Sequence, residues 1–139
     1  MRAMILRLAL GVALAACATT DVAPPNERVA GCWINRDAGA VTMRWLPDRA
    51  GGGVLVGSKI TYGIGGNRQE RYTLAQGGEG WTLCQTAPEN ACWPVAQGES
   101  GPLEGGRAFI DAHGDNLRIS VLAAHGERTI FQGRRDGCD

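Results

Sequence analysis

The sequence predicts an all-β domain, and two observations lead to this prediction. Apolar residues alternate with polar residues or Gly along several short stretches, and Gly-containing turns separate those stretches at intervals of about 8 to 12 residues. No window of about a dozen residues has its apolar positions at the helical spacing of roughly 3.6 residues. Short alternating strands of this kind are typical of an antiparallel sandwich or barrel.

The clearest strand lies in the stretch GGGVLVGSKITYGIGGN. Its larger apolar residues share one face of an extended chain, and they are Val54, Val56, Ile60, Tyr62 and Ile64. This alternation predicts a half-buried strand. The stretch NLRISVLAA repeats the pattern. We expect eight or nine strands, near residues 29–36, 40–46, 53–63, 69–76, 80–85, 92–96, 106–112, 116–124 and 127–135.

The first residues have the layout of a secretory signal peptide, which we assign to residues 1–16. Arg2 and Arg7 flank the start of an apolar run from Ile5 to Leu14, and small residues follow. A basic beginning, a short apolar run and a small-residue cleavage zone are the three parts of such a signal. The run is shorter than the roughly 20 apolar residues that span a membrane, so we expect no permanent transmembrane helix.

The cleavage zone reads Leu14-Ala15-Ala16-Cys17 and resembles the lipobox of bacterial lipoproteins. That resemblance implies that Cys17 carries lipid and becomes the first residue of the mature chain. Cleavage by ordinary signal peptidase beside an incidental Cys is the alternative. Ala18 follows the Cys, and the resemblance to sorted lipoproteins then favours the outer membrane, facing the periplasm. Residues 17–27 are small, polar and Pro-containing, which predicts a lipidated flexible tether before a domain at 28–139.

Charge argues against nucleic acid as a partner. The chain has 14 basic and 14 acidic side chains, and removal of Arg2 and Arg7 with the signal leaves 12 against 14, a net charge of −2. The bases are scattered singly and form no basic stripe. We expect no cofactor and no metal site, because the cysteines lack the C-x₂-C spacing of zinc sites and have no His nearby. Ser100 lies in GESG, which lacks the G-x-S-x-G pattern, so we expect no enzyme.

Gly31-x-Trp33, on the first predicted strand, resembles the G-x-W signature of lipocalins and related calycins. The resemblance implies an up-and-down β-barrel in which Trp33 closes one end and a basic residue of the last strand, Arg134 or Arg135, packs across it. Most of residues 29–135 also resembles a family of small bacterial calycin-like proteins. Trp33, Trp45 and the Gly spacing match that family, whereas the acidic residue expected just before the second Trp is Arg44.

Four cysteines remain after Cys17, and an exported chain with an even number favours two disulfides. Four cysteines can pair in three ways. In an up-and-down barrel closed with an even number of strands, the first strand pairs with the last and the chain enters and leaves at the same end. Cys32, near the beginning of the domain, and Cys138, just past its end, can then meet. We therefore expect Cys32–Cys138 and Cys84–Cys92, the second pair joining two neighbouring strands.

The large side chains lead to two hypotheses about function. Trp33, Trp45, Tyr62 and Phe131 could line a cavity that binds a small apolar or amphipathic ligand, or they could be core residues. We expect a non-catalytic envelope lipoprotein that binds such a ligand inside the barrel. The alternative is a protein–protein interaction module, as in lipocalin-like inhibitors of bacterial proteases. An apolar cavity would favour the first, and a packed interior with an apolar surface patch would favour the second.

The lipobox predicts how the chain is processed. Wild-type protein should fractionate with membranes, because the acyl chains each contribute about 0.8 kcal/mol per buried CH₂ to membrane binding. Cys17→Ser should be released into the soluble periplasm or left unprocessed. Fractionation of cells that express either form, followed by mass spectrometry of the mature amino terminus, measures this. Recovery of both forms in the soluble periplasm would contradict the lipoprotein interpretation.

Overall fold

The computed structural model describes residues 23–37, 39–96 and 106–138, so the predicted signal peptide, Cys17 and Ser100 lie outside the described residues. The described chain is all-β and antiparallel, as predicted, with nine strands and one short helix, α1 (Pro25–Val29). The strands are β1 (Gly31–Asn35), β2 (Val41–Pro47), β3 (Leu55–Thr61), β4 (Arg68–Gly77), β5 (Gly80–Ala87), β6 (Ala91–Pro94), β7 (Arg107–His113), β8 (Asn116–Ala123) and β9 (Gly126–Asp136). No helix in these ranges is long and apolar enough to cross a membrane.

The strands form one sheet that curls into a nearly closed barrel. Their order is β6-β5-β4-β3-β2-β1-β9-β8-β7, so the first and last strands are antiparallel neighbours. The expected up-and-down order therefore holds within β1–β6 and within β7–β9. It is interrupted between β6 and β7, where a parallel bridge pairs Val95 with Ala108. One hydrogen bond there runs from the Ala96 N–H to the Ala108 carbonyl, at 2.8 Å. We call this line between β6 and β7 the seam.

The short helix α1 lies where the sequence analysis expected the end of a flexible tether. Pro25 occupies the first helical turn, where its fixed φ favours the helix and its missing N–H is not needed. Val29 ends the helix and is fully buried in the core. The helix packs against β7. A helix of 5 residues is too short to show a periodic apolar stripe, so the sequence pattern did not predict it.

The buried face of β3 is the opposite of the one that its apolar alternation suggested. The strand is half-buried as predicted, but Leu55 and Gly57 face the core, whereas Val56 and Ile60 face outwards and are only partly covered. The reason lies on β2, where Trp45 pairs with Gly57. A Cβ atom at Gly57 would lie 2.7 Å from the Trp45 ring, so this position must be Gly if the indole is to lie against the wall.

The interior of the barrel is filled by large side chains. Every strand except β7, whose buried residues are Ala108 and Ala112, contributes at least one, and the largest that are fully buried are Trp33, Trp45, Tyr72, Met43, Leu74, Leu83, Leu117 and Ile119. Burial of such side chains is the main favourable term in folding, at roughly 25 cal/mol per Å² of apolar surface. A barrel of this width holds either its own side chains or one small ligand, and here side chains occupy the space.

Both predicted disulfides are confirmed. Cys32 joins Cys138, with their Cα atoms 5.3 Å apart, because Cys32 pairs with Asp136 and Cys138 lies just beyond it. Cys84 joins Cys92, with a Cα separation of 4.0 Å, and the two residues are directly opposite each other on β5 and β6. The first disulfide links the two ends of the domain and closes the longer loop, so it restricts the unfolded chain more.

The contact between Trp45 and Gly57 generates a stability prediction. Gly57→Ala should lower the free energy of unfolding by about 1–3 kcal/mol, because the added methyl group would overlap the buried indole. Gly77→Ala is the matched control, since its Cβ would meet nothing closer than 3.9 Å. Urea unfolding followed by tryptophan fluorescence measures both. Equal stability of the two variants would show that Trp45 does not press against this wall.

Candidate functional site

Trp33, which the sequence analysis expected to close one end of the barrel, is buried between the end of α1 and Arg135 of β9. The indole Nε1–H donates a hydrogen bond to the Val29 carbonyl at 2.8 Å. The Arg135 Cζ lies 4.2 Å from the centroid of the indole, and Nη1 donates to the Ala30 carbonyl at 3.1 Å. Gly31 has φ of +119°, and a Cβ there would lie 3.0 Å from Arg135 Nη1. The absence of a side chain at Gly31 thus leaves room for the Arg135 guanidinium over the Trp33 ring, where the two groups form a cation–π contact.

Three of the four aromatic residues considered for ligand binding share the core, and the fourth lies outside it. Trp33, Trp45 and Phe131 are buried in the packed core. Tyr62 follows β3 on the outer side of the wall and keeps 43 % of its surface exposed. Arg134, the other arginine considered for the closed end, is exposed and lines a depression on the outer wall. The expected interior site is therefore divided between the core and the outer surface.

The other end of the barrel contains a charged cluster that sequence reasoning missed. Lys59 and Glu70 are paired across β3 and β4 and face inwards, with Nζ and Oε2 at 3.1 Å. Their side chains are only 13 % and 9 % exposed. The Tyr72 hydroxyl donates a hydrogen bond to Glu70 Oε1 at 2.9 Å. Because Lys59 and Glu70 are eleven positions apart in the chain, their ion pair cannot be predicted until the strand register is known.

The surroundings set the protonation of this cluster. Burial alone would raise the pKa of Glu70, but the hydrogen bond and charge of Lys59, the hydrogen bond from Tyr72 and the charge of Arg68 together outweigh it, and the net pKa is lowered. Burial, followed by the charge and hydrogen bond of Glu70, raises the pKa of Tyr72. Glu70 is thus ionised and Tyr72 protonated over the physiological range, which suits a structural ion pair more than a proton-transfer site.

The outer wall carries an apolar groove of about 770 Å³ across β2 and β3. Its apolar lining comes mainly from side chains that face away from the core, namely Leu46, Val56, Ile60 and Tyr62, and Pro47 at the end of β2 also lines it. Arg44 and Arg71 line the same groove. Since Leu46 and Tyr62 are 39 % and 43 % exposed, this is an apolar surface in contact with solvent. We refer to it as the outer groove.

Comparison with protein-family models, with curated proteins and with solved structures finds no match to this chain. The calycin-like relationship therefore depends on the residues themselves and stays a prediction. Of the features described above, the outer groove is the candidate functional site. The cluster of Lys59, Glu70 and Tyr72 satisfies its charges internally, whereas the outer groove leaves apolar surface and two guanidinium groups exposed.

The charged cluster predicts a specific pH dependence of stability. The folded pKa of Glu70 is below its ordinary value of 4.5, so its stabilising contribution is complete above about pH 4.5 and is lost as the pH falls through the folded pKa. Glu70→Gln should cost about 1–3 kcal/mol at neutral pH, because Lys59 then lies buried without its counter-ion. The difference from wild type should shrink at about pH 3.

Urea unfolding at the two pH values measures this difference in the free energy of unfolding. Glu79→Gln, at an exposed position in the turn after β4, is the control and should change stability little at either pH. A cost of Glu70→Gln that is the same at both pH values would contradict the ion-pair assignment.

Proposed function

We propose that this chain is a non-catalytic, lipid-anchored envelope protein that binds a protein partner through the outer groove. The observation that supports this most directly is the distribution of apolar side chains. The barrel interior is filled by its own aromatic residues, whereas Leu46, Val56, Ile60 and Tyr62 form an apolar surface outside. Contiguous exposed apolar surface on a small protein is typical of interaction sites. Ile64 lies two residues beyond Tyr62 and is fully exposed, which extends the apolar character of this region.

The charge of the groove indicates the chemistry of the partner. Arg44, Arg49 and Arg71 line it, against Asp48 and Asp136. The side chains of Arg44 and Arg71 form no ion pair or hydrogen bond with another residue in the described ranges. Unpaired guanidinium groups beside apolar surface favour a partner segment that is both apolar and acidic, because complementary charge speeds association and excludes wrong partners.

A small amphipathic molecule in the outer groove is the second candidate. A volume of about 770 Å³ is within the range of small-molecule sites. The same ligand inside the barrel would have to displace Trp33, Trp45 or Phe131 from a close-packed core, which costs several kcal/mol. We therefore prefer the outer wall for either ligand. Inhibition of a protease, as in lipocalin-like inhibitors, is one form that protein binding could take.

The proposal also includes a lipid anchor at Cys17 and a calycin-like fold family. Cys17 would hold the domain at the outer membrane on its periplasmic face, which Ala18 favours by resemblance. The geometry of Gly31, Trp33 and Arg135 supports a calycin-like barrel, since these three residues match the signature in both spacing and contact. A domain held beside a membrane meets other envelope proteins at a high effective concentration, so even a groove of modest affinity suffices for binding.

Site-specific photocrosslinking in intact cells tests the proposed function. p-Benzoylphenylalanine replaces Tyr62 in the outer groove or Phe109 on β7, which is a matched control because Phe109 is also aromatic and 38 % exposed. We expect a protein adduct from position 62 that is absent from position 109 and is lost when Arg44→Glu is added. The purified partner should then bind wild type at least about tenfold more tightly than Arg44→Glu.

The mass of the adduct separates the possible occupants. A gain of a few hundred daltons would favour the small molecule, and a doubling of mass would identify a second copy of this chain. Identical adducts from positions 62 and 109, or an adduct that survives Arg44→Glu, would contradict specific binding in the outer groove.

A further inference from the structure

The arrangement of charge in the outer groove specifies its partner more closely, an inference that rests on the proposed function. Strands β2, β3 and β4 together contain one acidic residue, Glu70, and it faces the interior beside Lys59. The outer face of these three strands therefore carries Arg44 and Arg71 and no carboxylate of its own. Asp48 lies in the loop after β2, where its Oδ1 accepts a hydrogen bond from the Ala50 N–H at 3.2 Å.

The two arginines belong to one row across the sheet. Arg44 pairs with Ser58, and Ser58 pairs with Arg71, so the serine lies between two guanidinium side chains on the same face. Neighbouring strands are about 4.8 Å apart, which puts the arginine Cα atoms roughly 10 Å from each other. Gln69 Nε2 donates to Ser58 Oγ at 3.0 Å, so the serine hydroxyl keeps its own proton to donate. The same row continues through Cys32 to Asp136 on β9, two strands from Arg44.

Apolar residues flank this row on both sides along the strands. Leu46 and Val56 form the next outward row towards the beginning of β3, and Ile60 lies in the next outward row towards its end. Tyr62 follows beyond Ile60. Outward rows are two residues apart, or about 6.6–6.8 Å along the strand. The groove therefore presents the apolar pair Leu46 and Val56, then a donor row of Arg44, Ser58 and Arg71, and then Ile60, which lies between Thr42 and Gln69 in its own row.

We propose that the outer groove binds an extended peptide segment in which one Asp or Glu lies between two apolar residues, each two positions away. In an extended chain, alternate side chains share a face at the same spacing of about 6.6–6.8 Å, so the three side chains of the segment match the three rows. Two guanidinium groups and a hydroxyl provide charge-assisted hydrogen bonds for the carboxylate. A lipid carries its anionic group at one end of its apolar chains, so a lipid covers the apolar residues on only one side of the donor row.

Titration of the mature protein with defined peptides tests this proposal. The probe is acetyl-Ser-Leu-Ser-Asp-Ser-Leu-Ser-amide, studied by isothermal titration calorimetry at up to about 1 mM peptide. One control peptide has Asn in place of Asp, and another has the same composition with Asp moved before both Leu residues. We expect saturable binding of the probe and at least about tenfold weaker binding of each control peptide.

Variants of the protein assign the effect to the donor row. Arg44→Gln combined with Arg71→Gln should abolish the preference for Asp over Asn, while Arg36→Gln, at an exposed arginine outside the groove, should keep it. The absence of saturable binding, or equal binding of the three peptides, would overturn the proposal. So would Arg44-dependent binding to phosphatidylglycerol vesicles that the probe peptide does not compete away.

The outcome distinguishes this inference from the proposed function. A protein adduct at position 62 together with equal binding of the three peptides would support the outer groove as a protein-binding site. It would contradict only the proposal that the bound segment is acidic. The absence of an adduct together with no peptide binding would contradict both the proposed function and the acidic-segment proposal.

Discussion

The contact between Trp33 and Arg135 determines which side chains of the barrel wall point inwards and which point outwards. It joins the first strand to the last, because Trp33 and Arg135 are partners in the β1–β9 ladder and both side chains point inwards. A guanidinium over an indole contributes about 0.5–2 kcal/mol, depending on how far it is removed from water. The larger effect is geometric. Slippage of the strand pairing by one residue would move the indole to solvent, so the contact selects one register.

That register is passed from strand to strand. With Trp33 inside, its partner Met43 is inside, and so is Trp45 two residues further along β2. Trp45 then places Gly57 on the inner face of β3, and Gly57 places Tyr72 on the inner face of β4. The outward direction of Val56 and Ile60 is therefore a consequence of the register. The apolar surface of the outer groove therefore follows from the burial of Trp33 and Trp45 on the inner face.

Sequence reasoning predicted the parts of this fold that depend on local pattern. The number of strands, their approximate positions and both disulfides could be read from alternation, turn residues and the proximity of the first and last strands. The inner face of β3 could not, because Leu55 and Val56 are equally apolar, and the deciding contact of Gly57 with Trp45 comes from another strand. The outer groove was missed for the same reason. The alternation put Val56, Ile60 and Tyr62 on the buried face, so the sequence analysis predicted no apolar surface on the outside of this strand.

The seam between β6 and β7 determines where the sheet opens locally and which strand edges are exposed by that opening. All other neighbouring strands share antiparallel ladders of three or more residue pairs, whereas the described part of the seam has the single bridge of Val95 and Ala108. Thermal opening of a sheet begins where its hydrogen bonds are fewest, and an opened sheet presents two free edges to other chains. Here the β6 edge is only 4 residues long, ends in Pro94 and is tethered to β5 by the Cys84–Cys92 disulfide. A short edge that ends in proline is a poor template for pairing with another molecule, so the β6 side of this line is protected against aggregation.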